Sequence, residues 1–222
     1  MLRSTAIIVL MLATSGLLGA CSSAGIALKE KFGYAKREQL VDNVKDARDA
    51  QQEAKVTFAS ALDEFLAVTK VSGGELESQY KKLRDEHERA QSKADAVRGR
   101  IKDVDRVATA LFKEWNEELK QYSSDALRRS SERQLMDTQR QYDRLFAAMK
   151  AAEAKMDPVL AAFKDQVLFL KHNLNARAIA GLQGTTAEIE RDVTTLIREM
   201  EASIAESNRF IEQMQADAPK GG

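Results

Sequence analysis

The amino-acid sequence predicts an all-α protein, an elongated antiparallel helical bundle or coiled coil of about four long helices. Helix breakers are scarce: the chain has two prolines, and between residues 34 and 180 its only glycines are Gly73, Gly74 and Gly99. Strand-rich folds need turn residues at about every 8–12 positions. Apolar residues also recur at alternating steps of three and four, the heptad pattern of helices that bury a narrow seam. Because short loops join antiparallel neighbours, the seams are expected to cover one another.

The first twenty residues have the features of a secretory signal peptide. Arg3 is followed by a largely apolar run at residues 6–18 and by small residues before Cys21. The run is too short for a transmembrane helix, which needs about 20 residues. Leu18-Gly19-Ala20-Cys21 resembles the lipobox of bacterial lipoproteins, and the resemblance implies cleavage before Cys21 and acylation of that cysteine. Ser22 then implies an outer-membrane address on the periplasmic face. The alternative is an ordinary signal peptide with an incidental cysteine.

Four regions follow from this interpretation. Residues 1–20 are the predicted signal peptide, 21–33 a lipidated N terminus and tether, 34–217 the helical bundle and 218–222 a disordered tail. Cys21 is the only cysteine, so no intramolecular disulfide can form. A lone cysteine at the end of a signal sequence therefore favours lipidation over redox chemistry.

The first helix is predicted from about Leu28 or Tyr34 to Lys70 and the second at about 75–122, separated by a turn at Gly73-Gly74. The seam of the first is Leu40, Val44, Ala47, Gln51, Ala54, Phe58, Ala61, Phe65 and Val68. The seam of the second is Leu76, Tyr80, Leu83, His87, Ala90, Ala94, Val97, Ile101, Val104, Ala108, Leu111, Trp115, Glu118 and Tyr122. Leu119 can take the place of Glu118 in this seam.

The third helix is predicted to begin behind the capping serines before Asp125, or at Ser130 or Ser131, and to kink or restart at Pro158. Its seam is Leu135, Thr138, Tyr142, Leu145, Met149, Ala152, Met156, Val159, Phe163 and Leu170. The fourth helix is predicted to begin behind Thr185. Its apolar face is Ile189, Val193, Leu196, Ile197, Met200, Ile204, Phe210, Ile211 and Met214.

One stretch of the third helix is apolar all round rather than on one stripe, so it must be covered on several sides. Either the other helices cover it, or it is a docking surface for a partner protein or a second copy. The candidate partner-binding residues are Val167, Leu168, Phe169, Leu170, His172, Asn173, Asn175 and Arg177.

A second candidate is the basic start of the third helix. Its residues are Arg128, Arg129, Arg133, Arg140 and Arg144. This face suits anionic lipid headgroups or the acidic fourth helix; the alternative is intramolecular pairing or solvation. Nucleic acid is not an expected partner, because the chain has 34 basic and 34 acidic residues and no strong basic patch with stacking aromatics.

Nothing in the sequence points to catalysis. His87 and His172 are the only histidines and neither belongs to a ligand cluster, so no metal site is expected. No nucleophile elbow or Gly-rich phosphate loop occurs. We therefore expect no enzyme activity and no cofactor.

Several segments together resemble an uncharacterised proteobacterial family of helical lipoproteins, domain of unknown function 2959. They are FGYAKR at 32–37, LVDNV at 40–44, DARDAQQ at 46–52, ALF at 110–112, ERQL at 132–135 and FLKHNLNAR at 169–177. The resemblance implies a helical envelope lipoprotein and supplies no activity. The leading hypothesis is a lipid-anchored periplasmic scaffold that binds another envelope protein or itself. The alternative is a peripheral module that binds anionic membrane through the basic helix face.

Overall fold

A computed structural model describes residues 36–70, 75–174 and 176–216. This part of the chain contains five α-helices and no strand, which confirms the predicted all-α fold. The helices are α1 (Lys36–Val68), α2 (Leu76–Leu119), α3 (Asp125–His172), α4 (Ala176–Gln183) and α5 (Thr186–Ala216). The predicted signal peptide, Cys21, the tether, the Gly73-Gly74 turn and the tail lie outside the described residues.

The four long helices form an up-down-up-down bundle. α1 packs against α2 and α5, and α3 packs against the same two helices. Contacts between neighbours pair rising residue numbers on one helix with falling numbers on the other, so the neighbours are antiparallel. The pairs are Lys36–Glu114 and Glu53–Lys93 for α1 and α2, Trp115–Ser131 and Asp105–Tyr142 for α2 and α3, and Arg37–Met214 and Lys55–Glu201 for α1 and α5.

The predicted seams form the core. Every predicted seam residue of α1 and α3 is buried, and the rings of Phe65 and Phe163 lie 6.4 Å apart between their centroids. On α5, Ile204 is only half-buried, whereas Ser203 and Ser207 are fully buried. The predicted α2 seam runs too far, because Glu118 is exposed and the helix ends at Leu119. Tyr122 lies beyond that end and is exposed.

A polar layer interrupts this apolar core. Gln51 is fully buried on α1, and neither its Oε1 nor its Nε2 has a hydrogen-bond partner in the described structure. The Oγ of Ser203 on α5 also lacks one. Arg48–Asn208 and Lys55–Glu201 contacts lie on either side, which places Gln51 and Ser203 at the same level of the bundle.

Local interactions explain where α3 begins and how it accommodates Pro158. The Ser124 side chain caps the N terminus by accepting a hydrogen bond from the Leu127 N–H, so α3 begins at Asp125 and not at Ser130. The helix does not restart at Pro158, which lies inside it. Pro158 and Ala154 are both exposed, so water can hydrate the carbonyl that loses its N–H partner.

Candidate interaction surfaces

An apolar patch lies at the C-terminal end of α3. Leu168, Phe169 and Leu174 are exposed by 48%, 40% and 42% respectively. Val167 and Leu170, also predicted to contact a partner, are instead buried in the core of the bundle. The all-round apolar stretch therefore divides into two buried residues and an exposed pair, so the exposed surface is narrower than the sequence pattern suggests.

Backbone and side-chain contacts fix the position of Phe169. The Asn173 Nδ2 donates a hydrogen bond of 2.9 Å to the Phe169 carbonyl, and the Asn173 N–H donates to the Leu170 carbonyl at the end of α3. Gly181 of α4 lies against the Phe169 ring: a Cβ at this glycine would lie 3.2 Å from the ring Cζ. The ring is therefore held between α3 and α4 with part of its surface free.

Polar residues border the apolar patch. Lys171 and His172 are exposed at the last turn of α3, next to the patch. Asn175 lies outside the described residues, as does the side chain of Arg177. The sequence pattern did not indicate Leu174, because this residue follows the end of the helix, where helical periodicity no longer predicts exposure.

Four of the five arginines predicted to form a basic face on α3 lie in a straight row. Arg129, Arg133, Arg140 and Arg144 lie within about 60° of one another around the helix axis, at 3.6 residues per turn. We call this row the arginine stripe. All four residues are exposed, on the side of α3 that faces away from its buried seam. The stripe extends about 22 Å at 1.5 Å per residue.

Ion pairing within the bundle distinguishes the five predicted arginines. Arg128 lies outside the stripe and pairs with Asp125 and Glu132, at 3.5 and 3.7 Å. Arg140 pairs with Asp137. In the described structure, Arg129, Arg133 and Arg144 make no ion pair and no side-chain hydrogen bond. These three arginines therefore form no direct ion pair with the acidic α5, although Glu206 of α5 lines the same depression as Arg144.

Exposed apolar side chains accompany the stripe. Met136, 51% exposed, lies one turn beyond Arg133 and about 20° to one side of the stripe. Leu127 and Tyr122, exposed by 59% and 42%, lie near the α2–α3 connection at the same end of α3. Arg144 also borders a shallow depression of about 280 Å³ between α3 and α5.

The polar contacts between α2 and α3 are structural. Tyr142 donates a hydrogen bond of 2.8 Å to Asp105, and its ring stacks on Phe146 at 5.5 Å. Burial raises the pKa of the Tyr142 hydroxyl far above its ordinary value, and the hydrogen bond to Asp105 adds to this. The Trp115 indole N–H donates to the Ser131 hydroxyl at 2.8 Å.

His87 is half-buried between α2 and α3. Burial lowers the pKa of its imidazole, while a hydrogen bond to the Leu160 backbone partly opposes the shift. In the described part of the chain, no group of three or more histidine, cysteine or acidic residues could hold a metal ion. No helix there is both long and apolar enough to cross a bilayer.

Comparison with known sequences places the chain in a family. A family model described as "Protein of unknown function (DUF2959)" matches residues 26–214. The chain belongs to this family. No curated protein and no solved structure matches it. For the DUF2959 chain, the geometry of the bundle therefore carries the functional argument, and its two distinctive surfaces are the apolar patch and the arginine stripe.

Proposed function

We propose that this DUF2959 protein is a lipid-anchored scaffold of the bacterial envelope, held in the outer membrane on its periplasmic face through acylated Cys21. The lipobox-like sequence at residues 18–21 supports the anchor. The sequence combines long helical seams with no nucleophile elbow or phosphate-binding loop, which favours a binding role. No catalytic activity and no cofactor are expected.

The single observation that carries the scaffold proposal is the exposed apolar patch formed by Leu168, Phe169 and Leu174. Large apolar side chains that adjoin one another at the surface mark interaction sites more often than scattered ones do. Phe169 is well suited to be an anchor because its ring already packs against Gly181, which lowers the entropy lost on binding. We propose that the patch binds another envelope protein or a second copy of the chain.

The position of the patch suits a scaffold. The patch adjoins α4, and the Gln183 side chain donates a hydrogen bond to the Thr69 carbonyl just beyond α1. The patch therefore lies at the opposite end of α1 from Lys36. The 33-residue helix is about 50 Å long. A partner on the patch is held about that far from the point where the chain leaves the proposed tether.

Fractionation of cells tests the anchor. Cys21→Ser removes the thiol that is acylated, so the protein should leave the membrane fraction or accumulate with its signal peptide uncleaved. Ser22→Ala, which keeps the thiol, is the matched control. Unchanged membrane association and processing of the Cys21→Ser protein would refute the anchor.

Crosslinking in intact cells, followed by mass spectrometry, tests the scaffold. The combined variant Leu168→Ser, Phe169→Ser should lose the crosslinked partner. Val56→Ser is the matched control, because Val56 is 60% exposed on α1 and away from the patch. Equal recovery of the partner from both variants would show that the patch is not the binding surface. Metal analysis of the purified protein should give no stoichiometric ion.

A further inference from the structure

We propose that the arginine stripe docks the bundle against an anionic phospholipid surface, with α3 lying along the membrane to which the chain is tethered. The tether part of this inference rests on the proposed function; the docking surface rests on the structure of α3. Three properties of the stripe support docking: its charge, its location and its apolar neighbours.

Charge selects an anionic occupant. Arg129, Arg133 and Arg144 are exposed and have no carboxylate partner in the described structure. Arginine also binds phosphate oxygens through a planar fork of donors. Asp137 and Asp143 flank the stripe, so its attraction to phosphate is moderate. A weak surface of this kind becomes effective when a tether makes its binding intramolecular.

The location of the stripe in the bundle favours a membrane over a soluble anion as the ligand. The Lys36–Glu114 ion pair of 2.6 Å places the start of α1 beside the end of α2. The Trp115–Ser131 hydrogen bond places the start of α3 at the same end. The stripe therefore begins at the end of the bundle where the chain arrives from Cys21. Fifteen residues span at most about 50 Å, which keeps this end close to the bilayer.

Apolar side chains supply the remaining contact. Met136 projects from the helix beside the stripe, and Tyr122 is exposed near the same end of α3. Arginines with apolar and aromatic neighbours are the usual composition of helices that lie at the membrane interface. The patch at Phe169 belongs to the opposite end of α3 and stays available to a protein partner.

The test uses the full lipidated protein in vesicles of phosphatidylcholine, with or without about one-third phosphatidylglycerol. Met136→Cys provides a site for a fluorescent label, and lipids with a spin-labelled headgroup quench it. Val56→Cys, on α1, is the control position. We expect strong quenching at residue 136 only in the anionic vesicles and weak quenching at residue 56 in both. High salt should remove the difference, because it shortens the Debye length from about 10 Å at 0.1 M to about 3 Å at 1 M.

Charge variants identify the residues responsible. Each stripe arginine changed to glutamine should lower the ratio of docked to undocked protein about fivefold, and the quadruple variant should not dock. The matched control removes the same charge from the other half of α3. It combines Lys150→Gln, Lys155→Gln, Lys164→Gln and Lys171→Gln, and should dock normally.

The outcomes separate docking from anchoring. Protein that floats with the vesicles but is quenched equally in neutral and anionic lipid refutes docking and leaves the anchor intact. Loss of a protein crosslink in the arginine variants, with quenching unchanged, assigns the stripe to a protein partner and also refutes it. A free Cys21 thiol in the unsubstituted protein refutes the anchor, whereas charge-dependent quenching at residue 136 would still support docking.

Discussion

Replacing Gln51 with leucine should make the protein more stable. The Gln51 side chain is fully buried, and neither its Oε1 nor its Nε2 finds a partner in the described structure. A buried polar group without a hydrogen bond costs about 1–3 kcal/mol. Burying a leucine side chain instead contributes about 1.5–3 kcal/mol, and imperfect fit of the new shape removes up to about 1.5 kcal/mol.

Because the Gln51 methylene groups are already buried, only part of the leucine contribution is new, and the net gain in the free energy of unfolding for Gln51→Leu is about 2 kcal/mol. For a domain of this size the Tm should rise by about 4–8 °C. Urea unfolding, followed by circular dichroism, should show a higher midpoint at an unchanged m-value. Gln52→Leu is the matched control, because Gln52 is exposed at the next position and its replacement should change stability by less than about 0.5 kcal/mol.

A loss of stability in Gln51→Leu, or a change no larger than that of Gln52→Leu, would refute this reasoning. Either result would mean that the amide of Gln51 is well hydrogen-bonded in solution. The polar layer would then be a stabilising feature of the core. A gain in stability would instead show that the polar layer destabilises the core. Buried polar residues that fix the register of packed helices destabilise cores in the same way.

Three further substitutions test the packing of α2 and α3. Pro158→Ala should stabilise the protein by about 2 kcal/mol in urea unfolding, because the Ala154 carbonyl regains an N–H donor. No gain in stability would contradict this explanation. Tyr142→Phe should cost about 1 kcal/mol at neutral pH through the lost hydrogen bond to Asp105. The pKa of Tyr142 is raised in the folded protein, so above about pH 10 only the unfolded chain ionises and the wild type should lose stability. The phenylalanine variant should lose less stability over the same pH range. Parallel pH profiles of the two proteins would contradict this. The lowered pKa of His87 has the opposite consequence: stability should fall as the pH drops below about 6.5, because the unfolded chain gains the proton first. Thermal melts of His87→Gln should show a weaker dependence of Tm on pH over this range.

The fold was predictable because the buried residues of each long helix recur with the same heptad spacing. Leu40, Phe58 and Phe65 occupy heptad positions, and the same positions form the core. The prediction failed where the partner helix, rather than the pattern, decides burial. Glu118 continues the α2 seam in sequence yet is exposed; Lys36, the first residue of α1, pairs with Glu114, one turn before it.

Two features of the candidate surfaces could not be predicted without the structure. Composition alone identified a basic start to α3, but only the rotation of each residue about the axis separates Arg128 from the stripe. Periodicity identified the apolar run at 167–170, but which two of its residues face outward depends on the positions of α2, α4 and α5. The buried serines of α5 were missed because small polar residues carry little weight in an apolar pattern.

The two surfaces serve different purposes at opposite ends of α3. The arginine stripe, together with the proposed lipid, would orient the bundle on the membrane, and the apolar patch would hold a partner at the far end of α3. Both surfaces depend on the antiparallel order of the helices, since this order places the start of α3 at the same end of the bundle as the start of α1.

Zero-length crosslinking of lysine to carboxylate tests that order most directly, and it needs no substitution. The structure predicts crosslinks between Lys93 and Glu53, whose charged atoms are 2.6 Å apart, and between Lys55 and Glu201, at 3.2 Å. Samples that mix isotopically labelled and unlabelled protein identify crosslinks within one chain. Finding both crosslinks within single chains would support the bundle. Crosslinks from Lys55 to Glu188 or Glu190, at the other end of α5, in place of Glu201 would contradict it.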